Sequence, residues 1–319
     1  MKNTSNRAIV PPDRAHELKS ELACTVARLI GSAEKLATAI PGLTLHQRTA
    51  PTAACRATYE PSVIVVAQGR KEVQIGSDTL TYDSSRYLLT SVDLPTVTRV
   101  VDASDDAPCL AVSLKLDIAI VREFLAREEF HRADVPPDSP AMATGQVTAE
   151  FLSAWCRLLD LLSNPEDIPF LSGFIEREIM YRILRGPEGA RLRAIATLGD
   201  QSHRTAKAIA WIKTYYARPL RVEELAQVAG MAVSTLHHHF RALTAMSPLQ
   251  YQKQIRLQAA RARMLADDVD AATVAYEVGY ESASQFNREY SRLFGQPPMR
   301  DIRNLRPPGA ARLEFVATA

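Results

Sequence analysis

Two short stretches decide the reading: Leu225-Ala226-Gln227-Val228-Ala229-Gly230-Met231 and, 49 residues on, Val274-Ala275-Tyr276-Glu277-Val278-Gly279-Tyr280. In each, an apolar-alanine pair precedes an apolar-glycine pair. Beyond each glycine comes an apolar triplet, Leu236, Phe240 and Leu243 in the first copy and Phe286, Tyr290 and Leu293 in the second. Both triplets step by four and then by three, which sets them on one face of a helix. Each copy therefore reads as a short helix, a glycine turn and a second helix, a duplicated helix-turn-helix. Glycine suits the turn because it takes positive φ at little steric cost.

The side opposite the triplets carries the chemistry. At 100° per residue, Ser234, His238 and Arg241 face away from Leu236 and Phe240, with His237 on the flank. In the second copy Ser284, Arg288 and Ser291 face out, flanked by Gln285 and Asn287. Hydroxyl, amide, imidazole and guanidinium groups are the donors that read base edges and phosphates. Arg288 has the fork to pair with guanine, and Gln285 the amide to read adenine. Ser282 and Gln285 also spell a capping box, which gives Gln285 a purely structural alternative. The run His237-His238-His239 is not read as a metal site, because successive helical residues diverge by 100° whereas helical ligands pair at i and i+4. His239 falls beside the apolar face as a packing residue.

Between the copies, Ser247-Pro248 is an N-cap followed by proline at the first helical position. A helix from there to about Ala266 spans about 28 Å at 1.5 Å per residue. Adjacent major grooves on one face of DNA lie about 34 Å apart, so such a connector sets two reading helices one turn apart. Lys253, Arg256 and Arg263 on it are expected to face solvent or phosphate.

Charge agrees with this placement. The 319-residue chain has a formal charge of only +2, but residues 1–200 carry −4 and residues 201–319 carry +6. The length predicts about two domains. With 46% hydrophobic and 23% charged residues the composition is that of a globular protein, and excludes wholesale disorder and rod-like repeats. Cys24, Cys55, Cys109 and Cys156 form no C-x-x-C pair, no secretory leader is visible, and no run approaches 18 apolar residues. A cytoplasmic location with no membrane partner is the expectation.

The front half changes period. Asp13–Thr38 reads as an amphipathic helix ended by Pro41-Gly42. From Leu43 to about Leu116 the period is two. Val63–Val66 suits a strand buried on both faces, and Glu72–Ile75, a Gly76-Ser77-Asp78 turn and Leu80–Tyr82 form a hairpin. Further strands are expected at Tyr87–Val92, Thr96–Val101 and Leu110–Leu116, suggesting a sandwich or small barrel. Helices follow at Ile118–Glu129 (capped by Asp117), Ala149–Leu162 (capped by Thr148) and Pro169–Leu184. The proline-bearing stretch 131–147 reads as a loop, and the Gly186–Gly189 break precedes the domain boundary.

These residues resemble the AraC family of transcription regulators. Over Ala208–Arg303 the matching strings are LAQVAGM, LHHHFRALTAMSPLQYQKQIRLQAARARML and VAYEVGYESASQFNREYSRLFGQPP. In the front, IPGLTLHQRTAP, YEPSVIVVAQGRKEV and YDSSRYLLTSVDLP resemble one subfamily's N-terminal regulatory domain. The resemblance implies recognition helices at about Val233–Leu243 and Ser282–Leu293, with Ser234, His237, His238, Ser284, Gln285 and Arg288 as base-contact residues. It also implies a cupin-like β-barrel followed by helices that dimerise, and RNA polymerase as a further partner. The chain departs from the family's pattern at Ala232, where serine is usual as an N-cap, and at Ala245, where many members carry glycine.

A cupin-like barrel raises the question of a metal-dependent enzyme. Residues 1–200 contain only His16, His46 and His131, and only His46 falls within the barrel, too few for a three-histidine site. No nucleophile elbow or phosphate-cradling glycine loop is present. The expectation is a non-enzyme with no metal and no cofactor. Cys55, Tyr59, Arg70, Tyr82 and Tyr87 are the candidate effector contacts in the barrel.

The expected architecture is thus α+β: an N-terminal helix (1–40), a cupin-like regulatory barrel (41–116), a helical dimerisation region and linker (117–200), an all-α domain with two helix-turn-helix motifs (201–306) and a tail (307–319). The expected function is a sequence-specific, homodimeric regulator of double-stranded DNA that responds to a small effector. Two alternatives are a metal-dependent cupin enzyme fused to a DNA-binding domain, and a regulator whose barrel only dimerises.

Overall fold

A computed structural model describes residues 12–126, 140–267 and 269–305. The end of the expected Ile118–Glu129 helix, His131, most of the proline-bearing stretch and the tail lie outside the described residues.

The described chain begins with α1 (Pro12–Ile30), whose Leu22, Val26 and Ile30 are buried. Apolar spacing predicts a helix reaching Thr38. It stops at Ile30 instead, because Gly31 turns left-handed, φ +58°, with its N–H on the Ala27 carbonyl at 3.1 Å. Lys35–Ala37 then forms a short strand, β1.

Nine further strands follow among the described residues: β2 (Leu43–Arg48), β3 (Cys55–Tyr59), β4 (Ser62–Gln68), β5 (Arg70–Ile75), β6 (Asp78–Asp83), β7 (Arg86–Thr90), β8 (Leu94–Asp102), β9 (Cys109–Lys115) and β10 (Met142–Gln146). They form two antiparallel sheets, a six-stranded one in the order β1-β2-β9-β4-β7-β10 and a four-stranded one in the order β3-β8-β5-β6. The expected barrel is therefore not closed; the strands make two sheets of a cupin-like jelly-roll kind. The hairpin falls where its turn signal places it, with Ile75 opposite Asp78 and Gly76 at φ +59° in the turn. β10 corrects the loop expected at 131–147: it pairs along β7 from Met142–Thr90 to Gln146–Arg86. Its Gly145 leaves room for the Tyr87 ring, which a β-carbon there would approach to 2.2 Å.

The large sheet is covered on both faces, as the continuous apolar run in β4 requires. Val63 and Val65, with Leu45, Leu89 and Val112, pack under α1, α3 (Ala149–Asp160) and α4 (Ile168–Arg185). Ile64 and Val66, with Leu88 and Ala111, pack toward the small sheet and its Val73 and Tyr82. Asp117 caps α2 (Ile118–Ala126) through the Ala119 N–H at 2.7 Å, and Thr148 caps α3 through the Phe151 N–H at 3.2 Å. One further helix, α5 (Gly189–Ala196), lies in the stretch expected to be linker.

Seven helices complete the described residues: α6 (Gln201–Tyr215), α7 (Val222–Ala229), α8 (Val233–Thr244), α9 (Pro248–Ala266), α10 (Ala271–Glu277), α11 (Ala283–Phe294) and α12 (Pro298–Leu305). The α7–α8 and α10–α11 pairs are the two copies of the repeat. Their glycines take the expected left-handed turn, Gly230 at φ +65° and Gly279 at φ +89°. At Gly279 a β-carbon would lie 2.0 Å from the Ala217 carbonyl oxygen, so close approach requires glycine as much as the turn does.

The helical domain docks on the small sheet. Lys213 of α6 reaches Glu60 and Asp93, both at 2.8 Å, and Tyr251 of α9 donates to the Asp93 carbonyl at 2.8 Å. The Ala141 N–H reaches the Leu243 carbonyl near the end of α8 at 3.1 Å. The Arg56 Nε reaches the Leu293 carbonyl near the end of α11 at 2.7 Å.

Candidate nucleic-acid interface

Each reading helix is seated by the apolar triplet that marks it in the sequence. Leu236, Phe240 and Leu243 are buried, as are Phe286 and Tyr290, while Leu293 is half-buried. Phe240 meets Tyr251 of α9 edge-on at 5.5 Å, which ties α8 to the connector. Burying a Phe side chain contributes roughly 1.5–3 kcal/mol. The two anchors therefore fix which face each helix turns outward.

That outward face is the one the periodicity names. Ser234, His237, His238 and Arg241 on α8, and Ser284, Gln285, Asn287 and Arg288 on α11, are all exposed. Ser291, also expected to face outward, is half-buried, its hydroxyl bonded back to the Asn287 carbonyl at 2.8 Å. Gln285 gives half of its capping box: its N–H binds Ser282 Oγ at 3.4 Å, but its side chain turns to Glu289. The complete box is at the start of α9, between Ser247 and Gln250. His239 is half-buried beside the apolar face, its ring 5.1 Å from His238.

The two helices differ at their starts. Ser282 caps α11, whereas Ala232 offers α8 no side-chain acceptor. At the other end of α8, Ala245 takes the left-handed conformation at φ +59°, alone among the described non-glycine residues.

Of the connector's cations expected to face solvent or phosphate, Lys253 and Arg263 are exposed but ion-paired, and Arg256 is half-buried and turned to backbone carbonyls. Arg256 donates to the carbonyls of Tyr216 (2.6 Å), Gly279 (2.8 Å) and Arg218 (2.9 Å), and so staples α9 to the end of α6 and to the second turn. Arg263 pairs with Asp267 and Glu277, and Lys253 with Glu289 at 3.0 Å. Helical neighbours one turn away, and a carboxylate from the facing helix, compete for these side chains. Sequence reading also misses the group that seats the second copy. Asp301 of α12 accepts two bonds from Arg261, at 2.8 and 3.0 Å, and one from the Tyr290 hydroxyl at 2.7 Å. Burial opposes the Arg261 charge, but the Asp301 bonds outweigh it and hold the guanidinium above its usual range. An S-x-x-Q cap leaves a local signature; three partners on three helices do not.

The five effector candidates do not converge. Tyr59 and Tyr82 point between the two sheets, where the Tyr59 hydroxyl lies 3.1 Å from Thr98 Oγ1. The Tyr82 hydroxyl is fully buried with no hydrogen-bond partner among the described residues, and the Thr90 hydroxyl on β7 is in the same position. Burial, with Tyr59 adding, raises the Tyr82 hydroxyl well above its usual range. Tyr87 faces the other way, against Phe151 at 4.9 Å, because it stands on the helix-facing side of β7. Arg70 pairs with Asp102 at 2.6 Å on the surface, and Cys55 is exposed. His46 is held by Ser113 Oγ at 2.9 Å, and burial, with Lys71, Lys35 and Arg48 adding, pushes its pKa down to about 3.

Comparison with known proteins matches this geometry. Residues 39–191 match the family model for the AraC-type transcriptional regulator N-terminus, and residues 225–304 match a helix-turn-helix domain. The chain is 30% identical over 105 residues to the transcriptional activator RhaS of Yersinia pestis, covering 33% of this chain and 38% of that protein. It is 27% identical over 154 residues to the regulator ArgR of Pseudomonas aeruginosa, covering 48% and 46%. The chain thus spans less than half the length of these curated relatives, both of which are transcription regulators. Among solved structures, an apo form of a ToxT point variant from Vibrio cholerae superposes with a TM-score of 0.53 at 11% identity, covering 83% of this chain and 98% of that one. Wild-type ToxT with bound unsaturated fatty acid gives 0.53 at 10% identity, covering 85% and 97%. That likeness is one of fold. Among the described residues no helix is long and apolar enough to cross a membrane. With both the sheet domain and the helical reader matched, the chain belongs to the AraC family of transcriptional regulators.

Proposed function

We propose that this chain is a one-component transcription regulator that reads double-stranded DNA through α8 and α11. The observation that carries the reading is the pair of glycine-turned helices, each anchored by a buried triplet and each presenting exposed donors on the opposite face. α9, with 19 residues, is a connector of about 28 Å between them. Arg288, Gln285 and Ser284 on α11, and Ser234, His237, His238 and Arg241 on α8, are the contacts, with Asn287 beside them. The family relatives, regulators rather than enzymes, support a non-catalytic role.

The N-terminal domain responds to a small effector. ToxT, which shares the fold, has been solved with a fatty acid, which supports a ligand-responsive domain here. Tyr59 and Tyr82, with Thr90, are the polar groups inside the sheets that such a ligand would meet. An effector that prefers one docking of the helical domain on the small sheet shifts the population of reader arrangements. Dimerisation runs through α4, where Phe170 and Phe174 stand 74% and 71% exposed with Leu171 beside them. An exposed apolar stripe of this kind marks an interaction face. RhaS, an activator by name, supports RNA polymerase as a further partner.

Genome-wide mapping of bound sites, followed by titration of a recovered site, tests the reading. Arg288→Ala is expected to weaken binding by about 1–3 kcal/mol and relax preference at one base pair. Unchanged preference at every position would overturn the assignment of α11.

A further inference from the structure

We infer that the seam between the regulatory sheet and the reader is itself a ligand site, for a compact dianionic metabolite such as a phosphate monoester or a dicarboxylate. An open cleft of about 490 Å³ lies there, with strands β3 and β8 on one side and α9 and α11 on the other. A cleft of this size suits a small molecule. Three cations line it, Arg56 from β3, Lys253 from α9 and Arg292 from α11, against one carboxylate, Glu289. Glu289 is already bound by Lys253 and by the Tyr280 hydroxyl. The wall therefore carries an excess of two positive charges, and a dianion is the ligand that neutralises it.

Arg56 is the decisive group. It is half-buried, and its Nε is used on the Leu293 carbonyl at 2.7 Å. Among the described residues it has no carboxylate partner. A guanidinium taken partly out of water without a counter-charge is costly, and its remaining N–H groups form the fork that binds a carboxylate or phosphate through two oxygens. Burial lowers its pKa, as expected of a cation with no counter-ion. Arg292 likewise makes no ion pair among the described residues. Val97, Met246 and Leu257 supply an apolar floor, and Gln250 and Gln254 supply neutral polar groups for a ligand's hydroxyls.

The position gives the site a regulatory consequence, which rests on the DNA-reading proposal. The cleft opens beside the C-terminal halves of both reading helices, with Ala245 and Met246 after α8 and Arg292 and Leu293 on α11. A dianion held by Arg56 on one side and Arg292 on the other favours the docked arrangement over any arrangement in which the domains part.

Isothermal titration of the full chain, without DNA, tests the site. Glycerol 3-phosphate and succinate are the probes, with glycerol and acetate as neutral and monoanionic controls at matched ionic strength. Saturable binding of one dianion or both is expected, and the stronger one identifies the ligand's chemistry. Arg292→Gln, which breaks no ion pair, is expected to weaken it by about tenfold or more, as is Arg56→Gln. No saturable binding of either dianion, equal binding of acetate, or affinity unchanged in Arg292→Gln would overturn the inference. Failure of the DNA-reading proposal would show instead as lost sequence preference in the absence of any ligand.

Discussion

Asp301 is the group on which the seating of the second reading helix turns. Its carboxylate is only 8% exposed and accepts two bonds from Arg261, itself 18% exposed, and one from Tyr290. Arg261 also stacks on the Phe294 ring at 4.5 Å. Three helices, α9, α11 and α12, therefore meet at one carboxylate. Asp301→Ala leaves a guanidinium and a tyrosine hydroxyl without their acceptor. Breaking a buried pair in this way costs about 3–5 kcal/mol. Amides of α11 should then lose roughly 10²- to 10⁴-fold of their hydrogen-exchange protection, while amides of β4 keep theirs. The effect is one of pairing, so the double substitution Arg261→Met with Asp301→Leu is expected to recover most of the loss, since an apolar replacement of a buried pair is often neutral. Protection in Asp301→Ala within about threefold of the parent chain would refute the reasoning.

Three further outcomes follow from the same structure. Ala232→Ser supplies the missing cap of α8 and is expected to add about 1 kcal/mol to the stability of the first copy, read by urea unfolding. His46 is neutral in the folded chain at pH values where the unfolded chain binds a proton. Its folded pKa lies near 3 against 6.5 unfolded, so its contribution is full above about pH 6.5 and lost as pH falls toward 3. Between pH 7 and pH 5 the loss is about 2 kcal/mol, and denaturant titrations of the parent chain and His46→Gln should differ by that slope. Lys213→Met leaves Glu60 and Asp93 facing each other at the seam and is expected to weaken docking by about 1–3 kcal/mol, seen as a larger radius of gyration in small-angle scattering.

What can be read from the sequence is whatever leaves a local period. The triplets on α8 and α11 repeat at helical spacing, so both the anchors and the outward donors are legible in the sequence. β4 and the β5–β6 hairpin are legible for the same reason. β10 is not, because Pro140 and Gly145 disguise a five-residue strand whose place depends on Tyr87 across the sheet. The end of α1 is hidden because Ala33 and Leu36 continue its apolar spacing past the Gly31 turn. Arg256 reads as solvent-facing because nothing local shows that carbonyls from two other segments converge on it. Lys213 lies more than a hundred residues from both Glu60 and Asp93 and meets them only when the domains dock. Seam and network residues of this kind are specified by tertiary structure, and no window of sequence contains them.

The central claim is that α8 and α11 read one duplex together across a rigid connector. The direct test is affinity for a mapped operator in which base pairs are inserted between the two contacted segments. With α9, about 28 Å long, as a rigid connector, an insertion of about half a helical turn should drop binding to the level of non-specific DNA, and a full turn of about 10 base pairs should not restore it. Affinity that is indifferent to the insertions would contradict the account.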